Sequence, residues 1–244
     1  MSAASSSSIS SVIGKMPHAI WRANEIAVYK ASATSSGFGD LDAELPNAGW
    51  PRSSLIELLL VQAGIGELQL LKPVLAEIAK TQRIAFIHRP HIPNGLAFQR
   101  WELADDRLFW MKCSSTADAL WTTEQVLKNG CFGAVMLWQT NIRAEALRRL
   151  NLAAQTTDTC FFLLRPLAAQ RDTSPAPLRL ALRPARGGVN VEIIKRRGPH
   201  SDKSLYLALP DMPISKHLPD HNNAHVDQPM PSISAARSTQ TLLV

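Results

Sequence analysis

Five short, nearly continuous apolar stretches punctuate the middle of this chain: Ser54 to Val61, Arg83 to Ile87, Arg107 to Met111, Ala134 to Trp138 and Cys160 to Leu164. Each is rich in branched or aromatic side chains. Unbroken apolarity over so few residues is the pattern of a strand buried on both faces. Between them, Glu67 to Lys80, Leu96 to Ala104, Ala117 to Asn129 and Ala144 to Thr156 carry apolar residues at helical spacing. In the third of these, Asp118 favours the amino end, and Lys128 followed by Asn129-Gly130 supplies a charge and a stop signal at the other. Repeated strand–helix alternation predicts an α/β fold with a mainly parallel sheet flanked by helices. After Arg165 the pattern changes. Pro175 and Pro177 interrupt, and Leu178 to Leu182 then alternates with Val189 to Ile194 around Arg186-Gly187-Gly188, which predicts a terminal antiparallel hairpin.

The two ends read differently. Residues 1–16 are serine-rich and predict a disordered arm, because they offer little apolar area against the entropy of ordering them. Residues 199–244 hold six prolines and four histidines among polar neighbours and predict a flexible tail. The folded domain is expected over 17–198. Its first part, 17–52, includes a helix of apolar spacing from His18 to Ala27 that could contact a subunit or partner, or dock within the chain. With 45% hydrophobic and 19% charged residues, the chain has the make-up of a globular protein able to bury a core. The three cysteines are an odd number lying in or beside apolar runs, which argues against a disulfide framework. No signal-peptide centre or membrane-length run is present, so a cytoplasmic location is expected.

Charge adds a direction. The formal net charge is +6, and Arg143 to Arg197 alone holds 11 basic against four acidic residues. Such an excess favours phosphate-bearing or acidic partners. Arg143, Arg148 and Arg149, with Lys195, Arg196 and Arg197, are the residues expected to touch DNA or a partner. The alternative is two unrelated solvated faces. Glu145 and Arg149 are four apart and can pair, while on a strand Lys195 and Arg197 project alike and Arg196 oppositely.

A strand running into a glycine turn and then a helix is where a phosphate loop sits, since the helix start presents unpaired N–H groups. Here that position reads Val61-Gln62-Ala63-Gly64-Ile65-Gly66-Glu67-Leu68. Laid on G-x-x-x-x-G-K-[ST], Gly66 matches, but Val61 replaces the first glycine, Glu67 the lysine and Leu68 the hydroxyl. A carboxylate where the lysine belongs repels a triphosphate by several kcal/mol at an effective dielectric of roughly 20. No cofactor and no catalytic residue are expected. Gly64 and Gly66 then serve to shape a tight turn, with Glu67 favourable at the helix start.

The order of these segments resembles the RecA-type ATPase core and, more closely, the ImuA family of RecA-related accessory proteins. The resemblance spans roughly residues 17–198. It is carried by Ser36-Gly37-Phe38-Gly39-Asp40-Leu41-Asp42-Ala43-Glu44-Leu45-Pro46, Gly49-Trp50-Pro51-Arg52, the run from Ala146 to Gln155, and Ile194-Lys195-Arg196-Arg197-Gly198. It implies a RecA-like P-loop-type core and a part in SOS-induced, error-prone translesion DNA synthesis beside ImuB and an ImuC-type polymerase, with DNA, RecA and the sliding clamp as further contacts. Against active RecA proteins, Pro90 stands where an acidic residue positions the attacking water, and Trp138 and Gln139 stand where a magnesium-associated aspartate belongs. The expectation is therefore a non-catalytic assembly factor. Alternatives are a weak or partner-stimulated DNA-dependent ATPase and a SulA-like SOS inhibitor of cell division.

Other side chains carry less. His88 and His91 near a strand end lack further ligands in the sequence around them, so no metal is expected. Asp105-Asp106 reads as a polar turn. Among the six tryptophans, Trp110 and Trp138 are expected in buried strands and Trp50 on a loop, either at the surface or as a packed anchor. Gln240, Leu242 and Leu243 faintly resemble a sliding-clamp attachment motif at the end of the tail.

Overall fold

The computed structural model describes residues 32–90, 98, 101, 103, 105–198 and 203–209. The expected helices at His18 to Ala27 and Leu96 to Ala104, and the clamp-like Gln240, Leu242 and Leu243, lie wholly or largely outside these residues.

All five apolar stretches form strands, and a single eight-stranded sheet gathers them. In chain order its strands are β3 (Ser54–Leu60), β4 (Arg83–Ile87), β5 (Leu108–Met111), β6 (Phe132–Trp138), β7 (Cys160–Pro166), β8 (Leu178–Ala185), β9 (Gly188–Lys195) and β10 (Ser204–Ala208). They lie side by side as β10-β9-β8-β3-β7-β6-β4-β5. From β5 to β8 every neighbouring pair is parallel; β9 and β10 add on antiparallel. The predicted hairpin is β8–β9. A separate two-stranded ribbon pairs β1 (Ala33–Thr34) with β2 (Trp50–Pro51), and the short helix α1 (Gly39–Glu44) lies between them in the chain.

Side-chain alternation along the strands builds two cores, one on each face. Ile56, Leu58, Met136, Phe162 and Leu180 point to the side covered by α2 (Glu67–Ala79), which contributes Leu70, Leu71, Val74, Leu75 and Ile78. Leu55, Val135, Leu137, Phe161 and Leu163 point to the side covered by α3 (Thr116–Asn129) and α4 (Ala144–Ala154). Burying each such leucine or phenylalanine contributes roughly 1.5–3 kcal/mol. The caps of α3 follow the sequence: Ser115 accepts from the Asp118 N–H at 3.1 Å, and Gly130 closes the helix at φ 71°.

Two expectations are corrected and one open reading is decided. The folded sheet does not stop at 198, because Ser204–Ala208 pairs along β9 as an edge strand. Of the two readings of Trp50 the packed anchor holds: it is fully buried, its ring edge-on to Phe162 at 5.5 Å. It is carried inward by the β1–β2 ribbon, in which Gly49 lies so close to Thr34 that a Cβ would sit 2.5 Å from the Thr34 carbonyl oxygen. Trp110, expected to be buried, lies on edge strand β5 and is 39% exposed, while Trp121 on α3 is 64% exposed.

Cys160, under α2, is the buried cysteine; Cys131 is exposed. Burial pushes the Cys160 thiol up to about 11, against its ordinary 9.0. The unfolded thiol ionises first, so the folded state loses stability as pH rises from about 9 to 11, by roughly 2–3 kcal/mol. Urea unfolding across that range should show the loss in the native protein and not in Cys160→Ala. At pH 8, alkylation should modify Cys131 and spare Cys160.

Candidate functional site

The sheet's strand order changes direction around β3. The chain leaves β3 for β4, three positions away across β7 and β6, and later passes from β7 to β8 on the opposite side of β3. In open α/β sheets, ligands bind at the carboxyl ends of strands beside such a switch. A cavity of about 290 Å³ lies there, bounded by Leu60 to Ala63 after β3, His88 to Pro90 after β4, Trp138 to Thr140 after β6, and Leu164 to Pro166 of β7. The three stations that the sequence marks as departures from ATPase chemistry are the phosphate-loop position, Pro90 and Trp138-Gln139. All three border this cleft.

The loop itself is closed from within. Gly64 and Gly66 adopt positive φ of 87° and 109°, which glycine reaches without strain, and Gly66 opens α2. The Glu67 side chain turns back, and its two carboxylate oxygens accept the Gly64 N–H at 2.8 and 3.0 Å. Glu67 is only 4% exposed. The chain's own anion therefore occupies a donor that a phosphate loop would offer to its ligand. Val61 projects to solvent, 50% exposed, on the rim, and Leu68 packs against the α2-side core, supplying neither a glycine nor a hydroxyl.

Arg89 and Arg165 are the arginines that border the cleft; Arg89 lies among aromatic rings. Its guanidinium lies over Trp110 at 4.8 Å, Trp138 at 5.7 Å and Phe86 at 5.9 Å from the ring centroids. Burial lowers its pKa from the ordinary value, and the nearby Glu67 charge opposes that shift. His88, one residue before, holds a positive φ of 53° and is tied by its N–H to the Met111 carbonyl at 3.0 Å. Non-glycine residues adopt this conformation at a cost, and it is concentrated at functional sites.

Beneath the cleft, Glu57 in the middle of β3 is fully buried and meets two arginines: Arg165 Nη1 at 3.4 Å and Arg179 Nε at 2.5 Å. Arg165 Nη2 also reaches Asp172 at 2.8 Å, and Arg179 donates to the carbonyls of Ala169, Gln170 and Asp172. The parallel register sets Glu57 opposite Arg179 and Leu59 opposite Arg165, so all three charges emerge on one face.

The six basic residues do not form one patch. Arg149 pairs with Glu124 of α3 at 2.7 Å rather than with Glu145, and Arg196 pairs with Glu44 at 2.7 Å, donating also to the Glu44 carbonyl. Lys195 donates to the Ser174 carbonyl at 3.0 Å. Arg143 precedes the first residue of α4 on the carboxyl-end side of the sheet, whereas Arg197 borders a second cavity of about 290 Å³ at the amino ends, beside Ser54, Asn151 and Gln155. The 12 steps from Arg143 to Gln155 span roughly 18 Å of helix. Arg148 is exposed between them. Replacing Arg196 with alanine should cost about 1.5–3 kcal/mol in urea unfolding, because a charge-assisted anchor is removed. Arg197→Ala should cost little.

Among the described residues no group of three or more His, Cys, Asp or Glu could hold a metal, and no helix is long and apolar enough to cross a membrane. His91 lies outside the described residues.

Fold and cleft together define an α/β protein with a mainly parallel mixed sheet and a switch-point cavity whose neighbouring loop is filled by a carboxylate. No family model matches the chain, and the comparison with curated proteins returns no match. Among solved structures, SulA from Pseudomonas aeruginosa aligns at 23% identity with a TM-score of 0.40, over 48% of this chain and 99% of that one.

Proposed function

We propose that this protein is a non-catalytic, RecA-like assembly factor of the ImuA type. On this reading it joins ImuB and an ImuC-type polymerase in SOS-induced, error-prone synthesis across DNA lesions. The observation that carries the non-catalytic part is the Glu67 carboxylate seated on the Gly64 N–H. With that donor engaged and a negative charge fixed at the start of α2, a triphosphate meets repulsion where it needs a lysine. The same cleft has proline at position 90 and tryptophan and glutamine at 138 and 139, and none of the described residues that line it is a carboxylate able to hold magnesium or orient water. The assembly part rests on the sequence resemblance.

Co-purification tests the role. Tagged protein should retain ImuB through size-exclusion chromatography, and failure to do so removes the main support for assembly. Filamentation of cells on expression, unaffected by loss of ImuB, would favour the division-inhibitor alternative instead. For DNA, Arg197→Glu together with Arg148→Glu should flatten the dependence of log K on log salt by roughly 0.7–0.9 for each phosphate no longer neutralised. An unchanged slope would remove these two residues from the interface.

A further inference from the structure

Trp110 on edge strand β5 stands opposite Phe86 in the parallel register of β5 and β4, and the two rings stack at 4.2 Å with their planes 21° apart. That separation is close to the spacing of neighbouring strands, so the rings lie face to face across the strand gap. Among the described residues β5 has no neighbour beyond β4. The face of Trp110 turned away from Phe86 therefore looks outward from the sheet edge, and the residue is 39% exposed. Phe98 at 5.8 Å and the Arg89 guanidinium at 5.9 Å from the Phe86 centroid are both too near Phe86 to lie on that outer face. They hold the Trp110 ring from its other sides, at 5.1 and 4.8 Å from its centroid.

We propose that Trp110 is a stacking platform for an unpaired base of single-stranded DNA. Every base has a flat π-face that an aromatic ring can cover, whatever the sequence. Phe86, Phe98 and Arg89 fix the Trp110 ring in advance, so little rotamer freedom remains to be lost when a base arrives. Arg89 lies beside the Glu67 charge and acts here as a brace, not as an unbalanced cation. Lys112 is exposed two residues further on, about 7 Å along an extended chain, within reach of the phosphate of a stacked nucleotide. At the other end of the strand Asp106 is matched by Arg107 at 3.7 Å. An added protein strand is the rival occupant of an open edge, but β5 is only four residues long, and the net charge of +6 favours a polyanion. The inference rests on the reading that this protein meets DNA, and it adds a contact distinct from the Arg148 and Arg197 charges.

The test uses the full-length protein and two probes. A fluorescein-labelled oligothymidylate reports affinity by anisotropy across a salt series, and a bromouracil-substituted oligothymidylate is photocrosslinked to the native protein and mapped by mass spectrometry. Crosslinks should fall on Trp110. Trp110→Ala should weaken binding by roughly five- to a hundredfold. The slope of log K against log salt should stay at its native value, because a stack is lost and no phosphate contact. Trp110→Phe, which keeps a ring, should recover most of the affinity. Circular dichroism checks the fold of both variants; should Trp110→Ala fail to fold, the crosslink map of the native protein decides alone. Native affinity in folded Trp110→Ala, or crosslinks that fall only elsewhere, overturns the platform and leaves DNA binding standing. No binding by the native protein at low salt overturns the platform together with the DNA reading beneath it. Loss of ImuB retention in Trp110→Ala with oligonucleotide affinity unchanged overturns the platform and makes β5 a protein-docking edge.

Discussion

Replacing Glu57 with alanine should destabilise the protein by about 3–5 kcal/mol, a large share of the roughly 5–15 kcal/mol by which a native domain is stable. Glu57 is fully buried at the centre of the sheet, and its carboxylate is the shared partner of Arg165 and Arg179. Removing it strands two guanidiniums in the interior. Arg165 keeps Asp172, and Arg179 keeps three carbonyls, so the loss falls short of two isolated buried charges. Urea unfolding read by tryptophan fluorescence measures the change. A loss below about 1 kcal/mol would mean that the triad is not the electrostatic tie it resembles. Replacing all three residues together with apolar ones of similar volume should cost much less than Glu57→Ala, since no unpaired charge then remains.

The second large effect concerns the loop. Glu67→Lys with Leu68→Ser restores the missing cation and hydroxyl, and it releases the Gly64 N–H. At about 4 Å and an effective dielectric of about 20, a unit charge pair is worth about 4 kcal/mol, so reversing the sign moves phosphate affinity by several kcal/mol. The double variant should bind ATP with magnesium at sub-millimolar Kd where the native chain shows no saturable binding. It should not hydrolyse ATP, because Pro90, Trp138 and Gln139 still supply no group to orient water. Circular dichroism must first show the native fold, since the Glu67 carboxylate also braces the turn. A folded double variant with no affinity would place the defect elsewhere, in Val61 or in the shape of the cleft.

Much of the architecture is legible in the sequence because the parallel strands are covered on both faces and so carry almost nothing but apolar residues. That same habit hides the triad. Glu57 sits inside Ser-Leu-Ile-Glu-Leu-Leu-Leu, and a charge in the middle of such a run demands a buried partner; Arg165 and Arg179, also embedded in apolar strands, are the available signal. Ser204–Ala208 escapes a reading by apolarity because an edge strand needs only one face covered. Leu207 is buried while Tyr206 is 52% exposed, and the segment follows Pro199 and His200, which read as the start of a tail.

The candidate site is legible as departures from a pattern, which is why Glu67, Pro90, Trp138 and Gln139 stand out in the sequence alone. Arg89 does not, because its role depends on three rings from different strands meeting around it. The basic residues mislead in the opposite way. Their count points to a patch, but Arg149 and Arg196 are matched by Glu124 and Glu44, residues on other elements whose proximity only the fold creates.

Calorimetric titration of the native protein with ATP and magnesium tests the self-filled loop most directly. No saturable heat up to millimolar nucleotide is the predicted result. A micromolar Kd, with the triphosphate seated over Gly66 and the Glu67 side chain displaced, would contradict it.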